Sequence, residues 1–328
     1  MQNSTGEKII VSVIIPLYNE ENYVDACLKS LCAQTYPMSE MEWLLVDGMS
    51  TDKTVEVAKK YCDEYPVKIL TNEKKKTAYA LNKGIEQAQG KYIVRMDAHS
   101  VFEPDYIEKC IYYLENTDAA NVGGVAKTKS EGFVGNAIAK MLSTRFGVGG
   151  SDFRIGEESG YVDTVPFGAF RKEIFEKVGL FNPELIRSED NDMNARIRAC
   201  GEKIYLAGDI HFTYYCRDTV GGILKMAFQN GNALFRTMRI NKEAMSLRHF
   251  IPFFFVLSLI VLPIMQIFLP WMKWVMLAEG IAYTILNLWF SFGQKKRQYG
   301  LVTIWLYPLF HICYGLGSLL GLFGVKLY

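Results

Sequence analysis

Apolar and polar positions change in a regular order along the first 116 residues, and this order predicts strands and helices in turn. Four apolar runs are each followed by a segment with apolar residues at helical spacing. The four pairs are VSVIIPLYN with DACLKSLCAQ, EWLLVD with DKTVEVAKKYCDEY, VKILTN with AYALNKGIEQAQ, and KYIVRMD with PDYIEKCIYYLEN. Strands that alternate with helices are joined by right-handed crossovers, so we predict an α/β, doubly wound and mostly parallel sheet.

The alternation ends near residue 121, and the sequence up to residue 216 predicts further strands around a Gly-rich, irregular stretch. The expected strands are NVGGVAKT, TVPFGAF, KIYLAGD and FTYYC. EDNDMNARIRACG predicts a helix with an acidic start and a glycine stop. The following segment, VGGILKMAFQNGNALFRTMRIN, is amphipathic, and it fits a helix on a membrane surface as well as one facing a protein core.

The last third of the chain has the composition of a membrane protein. Residues 250–292 contain only Lys273 and Glu279 as strongly charged side chains. Stretches at about 250–269, 274–292 and 301–323 each approach the roughly 20 apolar residues that cross a bilayer. We therefore expect a domain at 1–240 and a membrane region at 241–328 with about three transmembrane helices. Prolines in the first stretch predict a kinked or re-entrant span.

Basic residues flank these stretches unevenly. They precede the first span and separate the second from the third: Arg239, Lys242, Arg248, Lys295, Lys296 and Arg297. Basic loops stay in the cytoplasm, which places the PWMK turn outside. The start, MQNSTGEKII, has no pattern of a signal peptide. We predict an integral protein of the cell inner membrane whose N-terminal domain is cytoplasmic.

Charge and cysteine content narrow the function classes. A formal net charge of +1 argues against a globally basic nucleic-acid binder, so we expect no nucleic-acid partner. The seven cysteines are scattered without a Cys-x-x-Cys pair, which is typical of reduced thiols in a cytoplasmic domain.

Candidate chemistry lies where the predicted strands end, because an open parallel sheet binds its ligand at that edge. PLYNE ends the first strand, and Asp47 ends the second. The Asp47 carboxylate can accept a hydrogen bond from a nucleobase or a ribose. Two ordinary strand-to-helix turns would also explain both motifs.

RMDAHS follows the fourth strand and presents Asp97 and His99. Side chains two residues apart in an extended turn point the same way, so a carboxylate and an imidazole can hold one divalent cation. Such a cation neutralises a diphosphate leaving group. A purely structural role for this short motif is the alternative.

A third candidate set lies at the start of the helix EDNDMNARIRACG. Glu189, Asp190 and Asp192 would favour the dipole of a helix in any protein. A carboxylate at a substrate site can also take the proton from an incoming hydroxyl, and Asp190 is our candidate for this general base.

These motifs, in this order, resemble glycosyltransferase family 2 over roughly residues 9 to 240. The resemblance implies a GT-A fold, an inverting hexosyl transfer from a nucleotide-sugar, here a UDP-sugar, and Mg²⁺ or Mn²⁺ as the metal. It assigns the binding of the nucleotide-sugar to Pro16, Tyr18, Asn19, Glu20, Asp47 and Asp97. The metal motif of the family is Asp-x-Asp, and here the pair is Asp97 and His99. The catalytic Glu-Asp pair matches Glu189 and Asp190.

The resemblance extends to the acceptor side. FGAFRKEIFEKVGLFNP is similar to the family's acceptor stretch, which adds Gly168 and Phe170, and FQNGNALFRT adds Gln229. The combination with an apolar tail is most similar to succinoglycan-type exopolysaccharide glucosyltransferases. The implied acceptor is a glycan linked to polyprenyl diphosphate, for exopolysaccharide or cell-surface polysaccharide synthesis, although the tail can also serve only as an anchor to membrane lipid.

Two other functions stay open at this point. A nucleotidyltransferase or a dinucleotide-binding oxidoreductase uses a related sheet, but no Gly-x-Gly-x-x-Gly follows the first strand as the oxidoreductase would need. A catalytically inactive membrane scaffold or sugar-binding subunit with the same fold is the alternative from another class.

Overall fold

The computed structural model describes residues 8–156, 158–293 and 296–325. Lys295, one of the basic residues used to predict topology, lies outside them, as does most of the N-terminal segment considered for a signal peptide. The chain forms two compact units. The sheet unit comprises Met1–Lys127 and Gly156–Tyr214, and the helical unit comprises Thr128–Ile155 and Tyr215–Tyr328. The predicted division at residue 240 stays a prediction.

The N-terminal part of the sheet unit is a parallel sheet with a helix after each strand, as predicted. Its strands are β1 (Val11–Leu17), β2 (Met41–Asp47), β3 (Val67–Thr71) and β4 (Tyr92–Arg95), in the spatial order β3-β2-β1-β4. The helices are α1 (Val24–Cys32), α2 (Thr54–Lys59), α3 (Thr77–Gln87) and α4 (Tyr106–Asn116). In the register, Leu17 lies beside Asp47, so the turns that follow β1 and β2 leave the sheet together.

Burial explains why these segments form strands. Every residue of β2 is buried, and β1 is buried except for the partly exposed Pro16. A strand covered on both faces needs a nearly continuous apolar run, and both sequences supply one. Gly84 of α3 permits close packing, because a Cβ there would lie 2.5 Å from the Ile14 side chain.

Antiparallel strands complete the sheet in the order β4-β8-β6-β9-β5, and β7 pairs with β9. They are β5 (Ser100–Phe102), β6 (Ala119–Lys129), β7 (Gly160–Tyr161), β8 (Ala169–Arg171) and β9 (Lys203–Tyr215). The prediction of two strands within residues 203–216 was wrong. β9 is one strand of 13 residues, because its first half pairs with β7 and its second half pairs with β5.

Five further helices follow the parallel part: α5 (Gly132–Leu142), α6 (Arg145–Val148), α7 (Asp152–Ile155), α8 (Ile174–Val178) and α9 (Glu189–Ala199). The predicted helix with the acidic start is α9. Arg196 fixes α9 in the sheet unit, since its guanidinium donates to the carbonyl oxygens of Val178 and Leu180 and pairs with Asp192 at 3.0 Å.

The helical unit contains the amphipathic helix α10 (Val220–Ile240) and the long helix α13 (Gly300–Leu322). Glycines bring the two backbones close together. A Cβ on Gly317 would lie 2.1 Å from the Phe228 carbonyl oxygen, and one on Gly321 would lie 2.3 Å from that of Asn232. Close approach through small residues is a common way to pack membrane helices. α10 therefore packs against α13, and its two interpretations, a membrane-surface helix and a core-facing helix, both stay predictions.

Within the described residues, three helices are long and apolar enough to cross a membrane, as predicted. They are α11 (Ile251–Phe268), α12 (Met272–Leu288) and α13, with candidate spans at Leu247–Phe268, Met272–Gly293 and Arg297–Leu322. Pro263 lies inside a continuous α11, so the first span is not divided. Glu279 of α12 accepts a hydrogen bond from Ser258 of α11. This bond satisfies a polar group that would find no partner in the hydrocarbon of a bilayer.

Candidate active site

The turns after β1 and β2 brace each other through side-chain hydrogen bonds. Asn19 has a left-handed backbone, with φ at 54°, and its side-chain oxygen accepts from the Thr51 amide at 2.9 Å. The backbone N–H of Asn19 donates to the Ser50 hydroxyl at 3.0 Å. The Glu20 amide donates to the Thr54 hydroxyl at 2.7 Å. Residues of PLYNE and VDGMSTDKT therefore form one rigid corner at the carboxyl edge of the sheet.

Asp47 lies beneath this corner and is buried, with 7% of its surface exposed. Both of its carboxylate oxygens lie 3.2 Å from the amide nitrogen of Ser50, so the side chain shapes the turn itself. Tyr18 is exposed, and the ammonium group of Lys75 lies 5.8 Å from the centre of its ring. The aromatic face of Tyr18 is thus accessible at the surface of the corner.

Arg95, the last residue of β4, brings three of the predicted carboxylates together. Its guanidinium forms a short ion pair with Asp190, lies 3.3 Å from a Glu189 oxygen, and lies 3.8 Å from an Asp97 oxygen. Arg95 itself is 4% exposed, whereas Asp190 keeps 26% of its side chain exposed. Carboxylates from the end of β4 and the start of α9 therefore meet at one buried cation.

Local structure holds Arg95 in this position. Its backbone amide donates to the Gly168 carbonyl at 3.0 Å, and its guanidinium carbon lies 5.7 Å from the centre of the Phe167 ring. Phe167 has a left-handed backbone, with φ at 47°, and a Cβ on Gly168 would lie 2.0 Å from the Asn121 side-chain oxygen. A side chain at this position, directly before β8, would collide with Asn121 of β6, so glycine is needed there.

The sequence analysis missed Arg95. A charged residue at the end of an otherwise apolar strand, directly before the predicted metal motif, was the signal that could have identified it. An arginine can be buried there because its fork of five N–H donors matches several carboxylate oxygens at once.

Burial raises the pKa of the Asp190 carboxyl from an ordinary 3.8 to about 7. The positive charge of Arg95 opposes this rise, while the negative charges of Glu189 and Asp97 add to it. Burial, which disfavours the charged form, is the largest cause, and the single guanidinium does not offset it together with the two neighbouring carboxylates. A carboxyl group with a pKa near neutrality is suited to general-base chemistry.

Asp97 and His99 lie together after β4, as predicted for a metal pair. An imidazole nitrogen of His99 lies 4.0 Å from an Asp97 oxygen, and its other nitrogen lies 3.6 Å from a Glu20 oxygen. Two metal–ligand bonds of about 2.1 Å span at most about 4.2 Å, so one divalent cation can contact both Asp97 and His99. The contact between His99 and Glu20 also joins the corner after β1 and β2 to the metal motif.

Among the residues that the structure describes, no group of three His, Cys, Asp or Glu side chains is arranged to hold a metal ion. A cation bound at Asp97 and His99 would therefore take further ligands from water and a bound diphosphate. Mg²⁺ in nucleotide sites typically binds in this way, through one or two protein ligands.

The three residues assigned to the acceptor side lie in different surroundings. Gly168 lies next to the site through its contact with Arg95. Phe170 was wrongly expected to contact an acceptor, because its side chain is 3% exposed and packs against Phe175 and Phe181 in the core. Gln229 lies on α10 of the helical unit and is partly buried, and its role stays a prediction.

Comparison with known proteins matches this chain to the model of "Glycosyl transferase family 2" over residues 12–179. A dolichyl N-acetyl-alpha-D-glucosaminyl phosphate 3-beta-D-2,3-diacetamido-2,3-dideoxy-beta-D-glucuronosyltransferase of Methanococcus voltae is 33% identical over 259 residues, covering 76% of this chain and 80% of the relative. Succinoglycan biosynthesis protein ExoA of Rhizobium meliloti is 24% identical over 309 residues, covering 93% of this chain and 92% of that protein. The resemblance predicted from the motifs, including its succinoglycan type, is confirmed.

Solved structures show the same fold. The mannosyltransferase PcManGT from Pyrobaculum calidifontis, in complex with GDP-Man and Mn²⁺, aligns with a TM-score of 0.65 at 18% identity, covering 95% of this chain and 88% of that one. TarS of S. aureus in complex with UDP-GlcNAc aligns with a TM-score of 0.52 at 15% identity, covering 98% and 93%. The predicted GT-A-type α/β fold with a C-terminal helical membrane region is confirmed.

Sequence motifs, the order of the strands and both kinds of comparison thus lead to one assignment. The chain belongs to glycosyl transferase family 2.

Proposed function

We propose that this chain is an inverting, metal-dependent hexosyltransferase. It moves a sugar from a UDP-sugar to a glycan linked to polyprenyl diphosphate during exopolysaccharide or cell-surface polysaccharide synthesis. The observation that carries the proposal is the meeting of Asp97, Glu189 and Asp190 at the guanidinium of Arg95. This arrangement places a candidate base beside a candidate phosphate-binding site, at the edge where an open α/β sheet binds ligands.

In this mechanism Asp190 is the general base. Its raised pKa lets it accept a proton from an acceptor hydroxyl near neutral pH, and its partly exposed side chain is within reach of an incoming substrate. The deprotonated hydroxyl attacks the anomeric carbon from the face opposite the diphosphate, so the configuration at that carbon inverts. General-base catalysis of this kind contributes about 10²- to 10⁴-fold.

Asp97 and His99 are the residues that would hold Mg²⁺ or Mn²⁺, which, when bound, neutralises the diphosphate leaving group. Glu189 pairs with the same Arg95 guanidinium as Asp190 does, and in this way it keeps the Asp190 carboxylate oriented. The corner formed by Pro16, Tyr18, Asn19 and Glu20, with Asp47 beneath it, binds the nucleoside part. The PcManGT complex with GDP-Man and Mn²⁺ supports a divalent cation beside a nucleotide-sugar in this fold.

The acceptor assignment rests on the candidate membrane spans and on the relatives. One relative acts on a dolichyl-linked sugar phosphate by its name, and another takes part in succinoglycan synthesis by its name. The three candidate spans would keep the enzyme in the cell inner membrane, where polyprenyl-linked glycans lie. Its sheet unit then faces the cytoplasm, the source of nucleotide-sugars.

The test is a donor and acceptor screen with the purified full-length protein. UDP-glucose, UDP-galactose, UDP-N-acetylglucosamine and GDP-mannose are offered with Mn²⁺ or Mg²⁺, together with a lipid-linked or a soluble oligosaccharide. We expect transfer from one UDP-sugar to the lipid-linked acceptor and a product of inverted configuration by NMR. Retained configuration would refute the mechanism, and the absence of transfer and of hydrolysis with every donor would favour the inactive scaffold.

A pair of variants separates the base from a general effect of charge. Asp190→Asn should reduce transfer by about 10²-fold or more, while titration calorimetry shows unchanged donor affinity. Asp209→Asn removes an exposed carboxylate on β9 of the same unit and should leave both quantities unchanged. Full transfer activity in Asp190→Asn would remove this residue from the mechanism.

A further inference from the structure

A cavity of about 570 Å³ lies within the helical unit. Its walls come from all three candidate spans and from the segment that contains α6 and α7. Pockets that bind small ligands have volumes of about 300–1,000 Å³. None of the residues assigned to the active site lines this cavity, so its role is not explained by the chemistry described above.

Part of the cavity lining is basic. It includes Arg145, Arg154, Arg248 and His249. Arg248 and His249 belong to the helical turn Leu247–Phe250, directly before α11, which is where the first candidate span begins. Arginine binds phosphate groups through two parallel hydrogen bonds, and a cluster of arginines at a membrane surface is typical of a site for a lipid phosphate.

The arginine wall is closely packed against the loop before α7. A guanidinium nitrogen of Arg248 donates to the Gly150 carbonyl at 3.1 Å. Gly149 has φ at +64° and ψ at −149°, a conformation essentially restricted to glycine. A Cβ at Gly149 would lie 3.1 Å from the Arg248 Cβ. The loop therefore holds Arg248 in place before any ligand binds.

Apolar and aromatic side chains of the candidate spans line the cavity as well. Phe255 and Tyr283 stack with their ring centres 4.6 Å apart, and Leu286 and Phe310 are further apolar lining residues. Glu279, which accepts a hydrogen bond from Ser258, also lines the cavity. Phe255 lies seven residues after Arg248, or roughly 10 Å along a helix, so the lining reaches from the start of α11 into the first candidate span.

His311 also lines the cavity, but its ring is used by the protein itself. One ring nitrogen lies 2.9 Å from the Tyr283 hydroxyl, and the other lies 2.8 Å from the Phe146 carbonyl oxygen. These contacts tie α12, α13 and the α6 segment together around the cavity.

The lining thus combines arginines with apolar side chains of the candidate spans. A free inorganic anion would leave the apolar wall empty, and a neutral lipid would leave the arginines without a phosphate. We propose that the cavity binds the diphosphate and the first isoprene units of a polyprenyl-linked acceptor, an assignment that rests on the proposed function. It adds a second substrate-binding site, formed by the helical unit, and names the chemistry that it recognises.

The test measures binding without any transfer step. Full-length protein in phosphatidylcholine nanodiscs is titrated with undecaprenyl diphosphate, and the complex is followed by native mass spectrometry. Each lost charged hydrogen bond weakens binding by about tenfold or more, so Arg145→Gln with Arg248→Gln should weaken it by roughly a hundredfold. Ala282→Trp, which adds bulk to the cavity lining on α12, should abolish binding.

Matched variants control for lost charge and added bulk. Lys242→Gln removes an exposed cation outside the cavity, and Ala278→Trp adds the same side chain to α12 away from it. Both should bind as the unaltered protein does. Equal binding in all variants would overturn the proposal, as would equally tight binding of inorganic diphosphate or displacement by an equal concentration of phosphatidylglycerol. Failure of the proposed function would be seen separately, as binding of the lipid without sugar transfer to its glycan.

Discussion

At the scale of single residues, the site depends on one arginine that is shared by three carboxylates. Arg95 is almost completely buried, and it faces Asp97, Glu189 and Asp190. A buried cation with this many partners is costly to replace, because each carboxylate left alone would carry an uncompensated charge. Arg95 is thus a positioning residue, which keeps the base and a metal ligand in fixed relation.

Replacing Arg95 should reduce turnover more than donor binding. In Arg95→Lys the charge remains, but an ammonium cannot reproduce the planar fork that donates to both Asp190 and Glu189, so we expect kcat to fall about 10- to 100-fold. KM for the donor should change less than threefold or so, since the nucleoside corner is untouched. Steady-state release of UDP measures both constants.

Arg198→Lys is the matched control for this change, because Arg198 lies on the exposed side of α9. It should keep unaltered kinetics and thermal stability. Thermal unfolding of Arg95→Lys distinguishes a displaced base from a partly unfolded domain. Wild-type kcat in a folded Arg95→Lys protein would show that the shared guanidinium does not position the base.

The raised pKa of Asp190 predicts how activity depends on pH. The base must be deprotonated, and its pKa is raised from 3.8 to about 7, so kcat/KM should increase about tenfold per pH unit below that value and level off above it. A cation bound at Asp97 adds positive charge nearby and should shift the profile of kcat toward lower pH. Initial rates measured across the pH range test this prediction. A kcat/KM profile whose acidic limb has its midpoint near the ordinary value of 3.8 would contradict it.

At the scale of elements, glycines decide how the helices of the helical unit meet. Gly317 and Gly321 of α13 lie against backbone carbonyls of α10, and Asn232 of α10 donates to the Val325 carbonyl at 2.9 Å. The sequence predicted α10 and α13 as separate helices. Only the packing shows that α10 is a partner of the third candidate span.

A methyl group at Gly317 should weaken this pair. The added Cβ would lie 2.1 Å from the Phe228 carbonyl oxygen, which is backbone and cannot move aside. Overpacking of this kind costs about 1–3 kcal/mol, so Gly317→Ala should lower the unfolding temperature of the detergent-solubilised protein. Gly280→Ala is the control, because a Cβ at Gly280 of α12 meets nothing within 4 Å. That variant should be neutral or more stable, and equal destabilisation of both would refute the packing argument.

At the scale of the whole molecule, the chain combines a GT-A sheet unit with a helical unit that contains three candidate spans. The distribution of basic residues predicts that the sheet unit faces the cytoplasm. Cys200 offers a native probe, since it is an exposed thiol of the sheet unit. Lys273, in the first turn of α12, is expected on the opposite side.

Thiol labelling tests this orientation. A membrane-impermeant maleimide should label Cys200 in inside-out vesicles and leave it unlabelled in intact spheroplasts. Cys200→Ser identifies labelling at other cysteines. Lys273→Cys in the Cys200→Ser background should show the reverse pattern. Labelling of Cys200 in intact spheroplasts would place the sheet unit outside and would remove its access to cytoplasmic nucleotide-sugars.

Local patterns along the chain were enough to predict the secondary structure of the parallel half, the three candidate spans and the family, because these depend on neighbouring residues and on short motifs. Which side chains meet depends on the tertiary fold. Arg95 and Asp190 are 95 positions apart, and their contact depends on the order of the strands, in which β8 lies beside β4 and the Gly168 carbonyl, directly before β8, accepts from the Arg95 backbone amide. The same packing buried Phe170 in the core and joined two expected strands into β9, since the partners of a strand are chosen by the sheet and not by local sequence.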